Sequence, residues 1–144
     1  MAQKHWILTA NASVARLFER TSLLEPLIEL ADWMHPEGSM LASELERAPL
    51  GHSIGGRTGL APHMDLKHRE RLEFAHQLAL WMREAVWAHS VEDIVLFASD
   101  PFMGELLAQL DPGVQKIISL KHSLDLTSLP VHELERKVRV EFGV

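Results

Sequence analysis

At 144 residues, 47% of them hydrophobic and none of them cysteine, the chain suits one domain with one core, and disulfides, thiolate metal sites and cysteine nucleophiles are excluded. A formal net charge of −6 argues against a generally basic nucleic-acid binder. No apolar run has the length of a signal-peptide core or a membrane span, so the expectation is a soluble cytoplasmic protein with no membrane contact.

His5 to Ala10 is a short β-prone run, Asn11-Ala12-Ser13 reads as a turn, and Val14 to Glu19 places Val, Arg and Phe on one face against Ala, Leu and Glu on the other. A hairpin is expected, with a helix capped by Asn11 and running through Arg20 as the alternative. Leu27 to Trp33 is the third strand, with Pro26 at its start, where a missing N–H is tolerable. Three short strands in succession suggest an antiparallel meander. Met34 to Pro49 is irregular, with room for one short helix around Met40 to Arg47.

Gly51, Gly55, Gly56 and Gly59 then fall in a stretch without apolar periodicity, which reads as a loop. After Pro62, Asp65 is the expected N-cap of a long amphipathic helix. Its stripe is Leu72, Ala75, Ala79, Met82 and Val86, widened by Phe74, Leu78, Trp81 and Ala85. The same arc carried back toward the start of the helix meets Lys67, His68 and Arg71. Burying such charges unpaired costs several kcal/mol each, roughly, so the first two turns are expected to overhang the core. From Arg57 to Arg71 there are four Lys or Arg against two carboxylates, and His63, His68 and His76 add potential positive charge. A glycine-rich loop beside a basic helix start suits an anionic ligand; a mobile surface loop leading into a solvated helix end explains the same spacing.

Ile94 to Ala98 is an uninterrupted apolar run, the pattern of a central strand buried on both faces. Ser99-Asp100-Pro101 supplies a cap and an N1 proline for a helix through about Leu110, ended by Asp111-Pro112-Gly113. Gln115 to Leu120 reads as a strand, and Ser128 with Pro130 opens a last helix from about Val131 to Val140. The order β-β-β-α-β-α-β-α gives a single α/β domain over residues 1–144 with a mixed five-stranded sheet, the topology of ribonuclease-H-like domains.

The chemistry-bearing residues narrow the reading further. A two-metal nuclease needs several carboxylates at the strand ends, whereas the first strand ends Thr9-Ala10-Asn11 and only Asp100 follows the Ile94 strand. His52, His63, Asp65 and His68 lack the spacing of a zinc site, and Ser53, Thr58 and His63 lack an orienting acid, so no metal, cofactor or triad is expected. Asp100 reads as a helix cap, His132 as a surface residue and Glu133 as a helix-dipole partner. Leu80 and Trp87, seven residues apart on the polar side of the long helix, are the candidates for a homodimer or protein-partner patch.

Three stretches carry a resemblance. W-I-L-T-A-N-A-S-V-A-R-L-F-E from Trp6, P-H-M-D-L-K-H-R-E-R-L-E-F-A-H-Q-L-A from Pro62 and D-L-T-S-L-P-V-H-E-L from Asp125 resemble the bacterial host attachment proteins, required for attachment to host cells. That family is similar to the middle domain of archaeal and eukaryotic class I peptide-chain release factors and of the rescue factor Pelota. In release factors a Gly-Gly-Gln loop between the third strand and a long helix reaches the peptidyl-transferase centre. Gly55-Gly56-Arg57 stands in the corresponding place here, with Arg57 where the glutamine would be. The resemblance implies a release-factor-like, ribosome-rescue domain whose partner is the ribosome or tRNA and rRNA. Gly55, Gly56 and Arg57 would enter an RNA-lined site, and His63, Lys67, His68, Arg69 and Arg71 would meet phosphates. Peptidyl-tRNA hydrolysis is the activity it implies, with Arg57 the departure that bears on it. A non-catalytic interaction module acting indirectly in attachment is the alternative.

Overall fold

Side-chain alternation in the first expected strand decides how the sheet is covered. Trp6, Leu8 and Ala10 point to one face, Ile7 and Thr9 to the other, and all five are buried, so helices must pack on both sides. The computed structural model describes residues 3–22, 24–35 and 60–144, with the backbone alone for 60–64. Its strands are β1 (Lys4–Ala10), β2 (Val14–Arg20), β3 (Ile28–Met34), β4 (Val91–Ala98) and β5 (Ile118–His122). The described helices are α1 (Leu60–His89), α2 (Phe102–Gln109), α3 (Pro112–Lys116) and α4 (Val131–Phe142).

The five strands form one mixed sheet in the order β3-β2-β1-β4-β5. β1 pairs antiparallel with β2 and β2 with β3, while β4 runs parallel to β1 and to β5. The hairpin is therefore the arrangement taken, and the helix through Arg20 is not. Asn11 Oδ1 accepts from Ser13 N and Val14 N, both at 2.8 Å, which makes the turn. β4 lies between β1 and β5, with Ile94 through Ala98 all buried, as its apolar run requires.

One layer is α1 with α2 and α3. Phe74, Ala75, Leu78, Ala79, Met82 and Ala85 of α1 are buried against Trp6, Leu8, Ala15 and Leu17, while Leu72, Trp81 and Val86 are half-buried. Trp81 bridges Trp6 and Trp33, stacked at 6.1 Å from the first and edge-on at 4.7 Å from the second. The other layer is α4, whose Leu134 and Val138 close over Ile7, Phe18, Val95 and Phe97.

Three expectations about element ends are corrected. α1 begins at Leu60, so Asp65 lies inside the helix and does not cap it. Asp111 caps α3, accepting from Gly113 N at 2.9 Å, so Gln115 belongs to a helix and β5 starts only at Ile118. Asp100 makes no cap hydrogen bond: the residue preceding α2 is Pro101, joined to Asp100 by a cis peptide. The helix expected around Met40 to Arg47 and the loop from Gly51 to Gly59 lie outside the described residues. α4 runs two residues beyond the expected Val140 and ends at Gly143, whose φ of +69° a side chain would strain.

Candidate functional site

Because β1, β3, β4 and β5 all point the same way, their carboxyl ends lie along one edge of the sheet. The starts of α1, α2 and α4 follow from those ends, which makes this edge the place where an open α/β sheet ordinarily holds its ligand.

Two pairs fix the start of α1 there. His35, buried just after β3, meets Glu70 Oε2 through Nε2 at 2.8 Å and stacks on Phe74. Arg71 forks onto Glu105 of α2, with Nε to Oε1 at 3.0 Å and Nη2 to Oε2 at 3.1 Å. Arg71 Nη2 also donates to His68 Nδ1 at 3.1 Å, which requires that nitrogen to be unprotonated. Two of the five expected phosphate-binding side chains are thus engaged with each other and with a carboxylate. Lys67 and Arg69 are exposed and make no ion pair among the described residues. No described side chain of α1 before Phe74 is buried, although Leu66, Glu70, Arg71 and Leu72 are half-buried. His63 contributes only backbone to the description, and Gly55, Gly56 and Arg57 lie outside it, as do His52, Ser53 and Thr58.

On the α4 side of the same edge, a network ties the first sequence motif to the last. Thr9 Oγ1 accepts from Leu126 N at 3.3 Å. Asn11 Nδ2 donates to Asp125 Oδ2 at 3.0 Å and Thr127 Oγ1 at 3.2 Å, and Asp125 Oδ1 accepts from Thr127 N and Oγ1. Burial opposes ionisation of Asp125, yet the donors from Asn11 and Thr127 hold its carboxyl below the ordinary range. Arg16 Nη1 donates to the carbonyls of Thr127 and Leu129, at 3.0 and 2.6 Å, while Nε and Nη2 fork onto Glu29. A hydrogen bond to Glu29 and burial push the neighbouring Asp32 up to about 6. Sequence reading missed this network because its members stand more than a hundred positions apart in chain order. Its only trace was that both ends fall in the stretches that carry the family resemblance.

The profile of the family described as "Protein required for attachment to host cells" matches residues 6–138. The chain belongs to that family. No functionally curated protein matches this attachment-family chain. Among solved structures, a Ppx/GppA phosphatase from Aquifex aeolicus, in its type II variant, is similar at 11% identity and a TM-score of 0.45, over 83% of this chain and 35% of that one. The attachment-family chain therefore spans about a third of that phosphatase.

Other expected positions in the family member are exposed. Leu80 and Trp87 are 43% and 75% exposed. His132 and Glu133 are exposed at the start of α4, and Asp100 is exposed beyond β4. Among the described residues no three His, Asp or Glu side chains converge as metal ligands would, and no helix is long and apolar enough to cross a membrane.

Proposed function

We propose that this host attachment family protein is a ribonuclease-H-like, release-factor-like domain that associates with the ribosome or its RNA through the overhanging start of α1. The observation that carries the reading is on that overhang: a 30-residue helix holds Lys67 and Arg69 exposed at the carboxyl edge, without an ion pair among the described residues. Lys67 and Arg69 stand about 200° apart around the helix axis. Cations on opposite sides suit a projecting end surrounded by phosphates better than a flat patch lying on one groove. Gly55-Gly56-Arg57 precedes this helix in sequence and is the segment that would lead into the RNA. If hydrolysis of peptidyl-tRNA occurs, backbone N–H groups there would stabilise the developing charge, with RNA supplying the rest of the site. Arg71 and His68 serve as positioning residues in this reading, since both are engaged around Glu105.

A second reading, an interaction module for another protein, is favoured by β3. This strand, at the edge of the sheet among the described residues, exposes Ile28 at 61% and Met34 at 72%, and an unpaired apolar edge invites strand addition. Sedimentation of purified protein with purified ribosomes separates the two. The first reading expects co-sedimentation that weakens steeply with salt and is reduced by Arg57→Ala; salt-insensitive capture of a protein, with no ribosome association, favours the second.

A further inference from the structure

The opposite edge of the sheet, where β1, β4 and β5 begin and β2 ends, holds a feature that the release-factor-like reading does not use. A pocket of about 300 Å³ opens there beneath the end of α4, at the small end of the range for ligand sites. Arg20, the last residue of β2, lines it and is only 5% exposed. Its Nη1 is fully buried without a hydrogen-bond partner among the described residues. Every other guanidinium of the sheet core or its flanks described above is forked onto a carboxylate, as Arg16 is onto Glu29 and Arg71 onto Glu105. A buried cationic donor left unpaired costs more than a neutral one, so a protein that retains one where a hydrophobic side chain would pack is holding it for something.

The surroundings indicate what that is. Asp93 also lines the pocket, but its carboxylate is engaged with His5 Nδ1 at 2.8 Å. Glu135 of α4 acts on Arg20 only from a distance, its carboxylate accepting from Leu27 N. Burial, reinforced by the charge of Arg139, pulls the Arg20 guanidinium below its ordinary pKa, and the more distant charges of Glu135 and Asp93 offset this only in part. The Ser119 hydroxyl supplies a neutral polar group, bonded only at 3.4 Å to Ile94 O, and Val95 and Val144 supply apolar wall. Val144 lies against the pocket without an ion pair to Arg20 among the described residues.

We propose that this pocket is a binding site for a small organic monocarboxylate, whose oxygens take the free donors of Arg20 while a short apolar body lies against Val95 and Val144. The planar guanidinium fork matches a carboxylate in both spacing and shape. Asp93 and Glu135 offset part of the positive charge of Arg20 and Arg139, so a second negative charge on the ligand meets more repulsion than the first, which favours a monocarboxylate over a phosphate dianion. The site is independent of RNA binding, since the two lie on opposite edges of the sheet.

The test uses the whole chain, with sodium acetate, butyrate and benzoate as probes, against sodium phosphate and sodium chloride at matched ionic strength. Thermal melting and the NMR signal of the Arg20 guanidinium are the readouts. At least one carboxylate should raise the melting temperature saturably and move the Arg20 signal, with chloride inert and phosphate weaker. Arg20→Met should melt no lower than wild type in chloride, because it removes an uncompensated buried charge, and should lose the carboxylate-dependent rise. Arg20→Lys, which keeps the charge without the fork, should weaken binding at least about tenfold. If Arg20→Met does not fold, the Lys variant and the wild-type NMR titration decide. Absence of a saturable response to all three carboxylates, a response that survives Arg20→Met, or tighter binding of phosphate would overturn the proposal.

Discussion

Arg16 holds three parts of the molecule with one side chain: Glu29 on β3, the carbonyls of Thr127 and Leu129 ahead of α4, and the face of Phe18, 5.0 Å from its ring centre. Its charge also sorts the two carboxyls beside it. The hydrogen bond from Arg16 holds Glu29 below its ordinary value, while Asp32, hydrogen-bonded to Glu29, is pushed up to about 6. The folded state thus binds the Asp32 proton more tightly than the unfolded chain, so this group contributes stability that is present below its ordinary value near 4 and lost as pH rises through about 6. Glu29 has the opposite sign, contributing above its ordinary value and losing that contribution only as pH falls through its depressed one. Asp32→Asn, which mimics the protonated acid, is expected to melt with wild type at pH 4 and above it at pH 7. The gain should be below about 1 kcal/mol because Asp32 faces solvent. Thermal melts across that range check it, and a gap that stays constant with pH would contradict it. None of this was legible in the sequence beyond the strand alternation that placed Arg16 and Phe18 on one face. Hydrogen bonds from Arg16 and Asn11 to residues 125–129 depend on a fold that closes the chain on itself, which no local spacing reveals.

At the scale of elements, α1 combines a packed body with a start whose described side chains are exposed or half-buried, and the join lies at His35–Glu70 and Arg71–Glu105. The second pair should orient the overhang through α2. A double-mutant cycle on Arg71→Ala and Glu105→Ala is expected to give a coupling of about 1 kcal/mol or somewhat more, above a typical exposed pair because Glu105 is largely covered and the geometry is a fork. Strict additivity in thermal denaturation would show that the fork does not act as a unit. Arg71, expected to be a phosphate contact, is forked onto Glu105. The body of α1 was legible from its apolar period and β4 from its uninterrupted run. β5 was not read in place, because Asp111-Pro112-Gly113 serves equally as the stop of one helix and the cap and first turn of the next. The start of α1 was placed six residues late because Asp65 has the chemistry of a cap without its position.

At the scale of the whole molecule, the sheet separates two edges of different character. The carboxyl edge carries the overhang, the Glu105 brace and the network that joins the two family motifs; the amino edge carries the Arg20 pocket. The antiparallel first half and the parallel additions were readable from the succession of elements, but this division was not, since it depends on which ends of which strands coincide. The central claim is that the carboxyl edge meets RNA through unpaired cations that the fold does not need. Its most direct measurement is a titration of purified ribosomes with wild type and with the Lys67→Ala/Arg69→Ala double variant across a series of salt concentrations. The variant should melt within about 0.5 kcal/mol of wild type, because both side chains are exposed and make no ion pair among the described residues. The slope of log affinity against log salt should flatten by roughly one and a half to two units, the loss of two phosphate contacts. A variant that binds ribosomes with the wild-type slope, or a wild-type protein that does not bind them at low salt, would contradict the account.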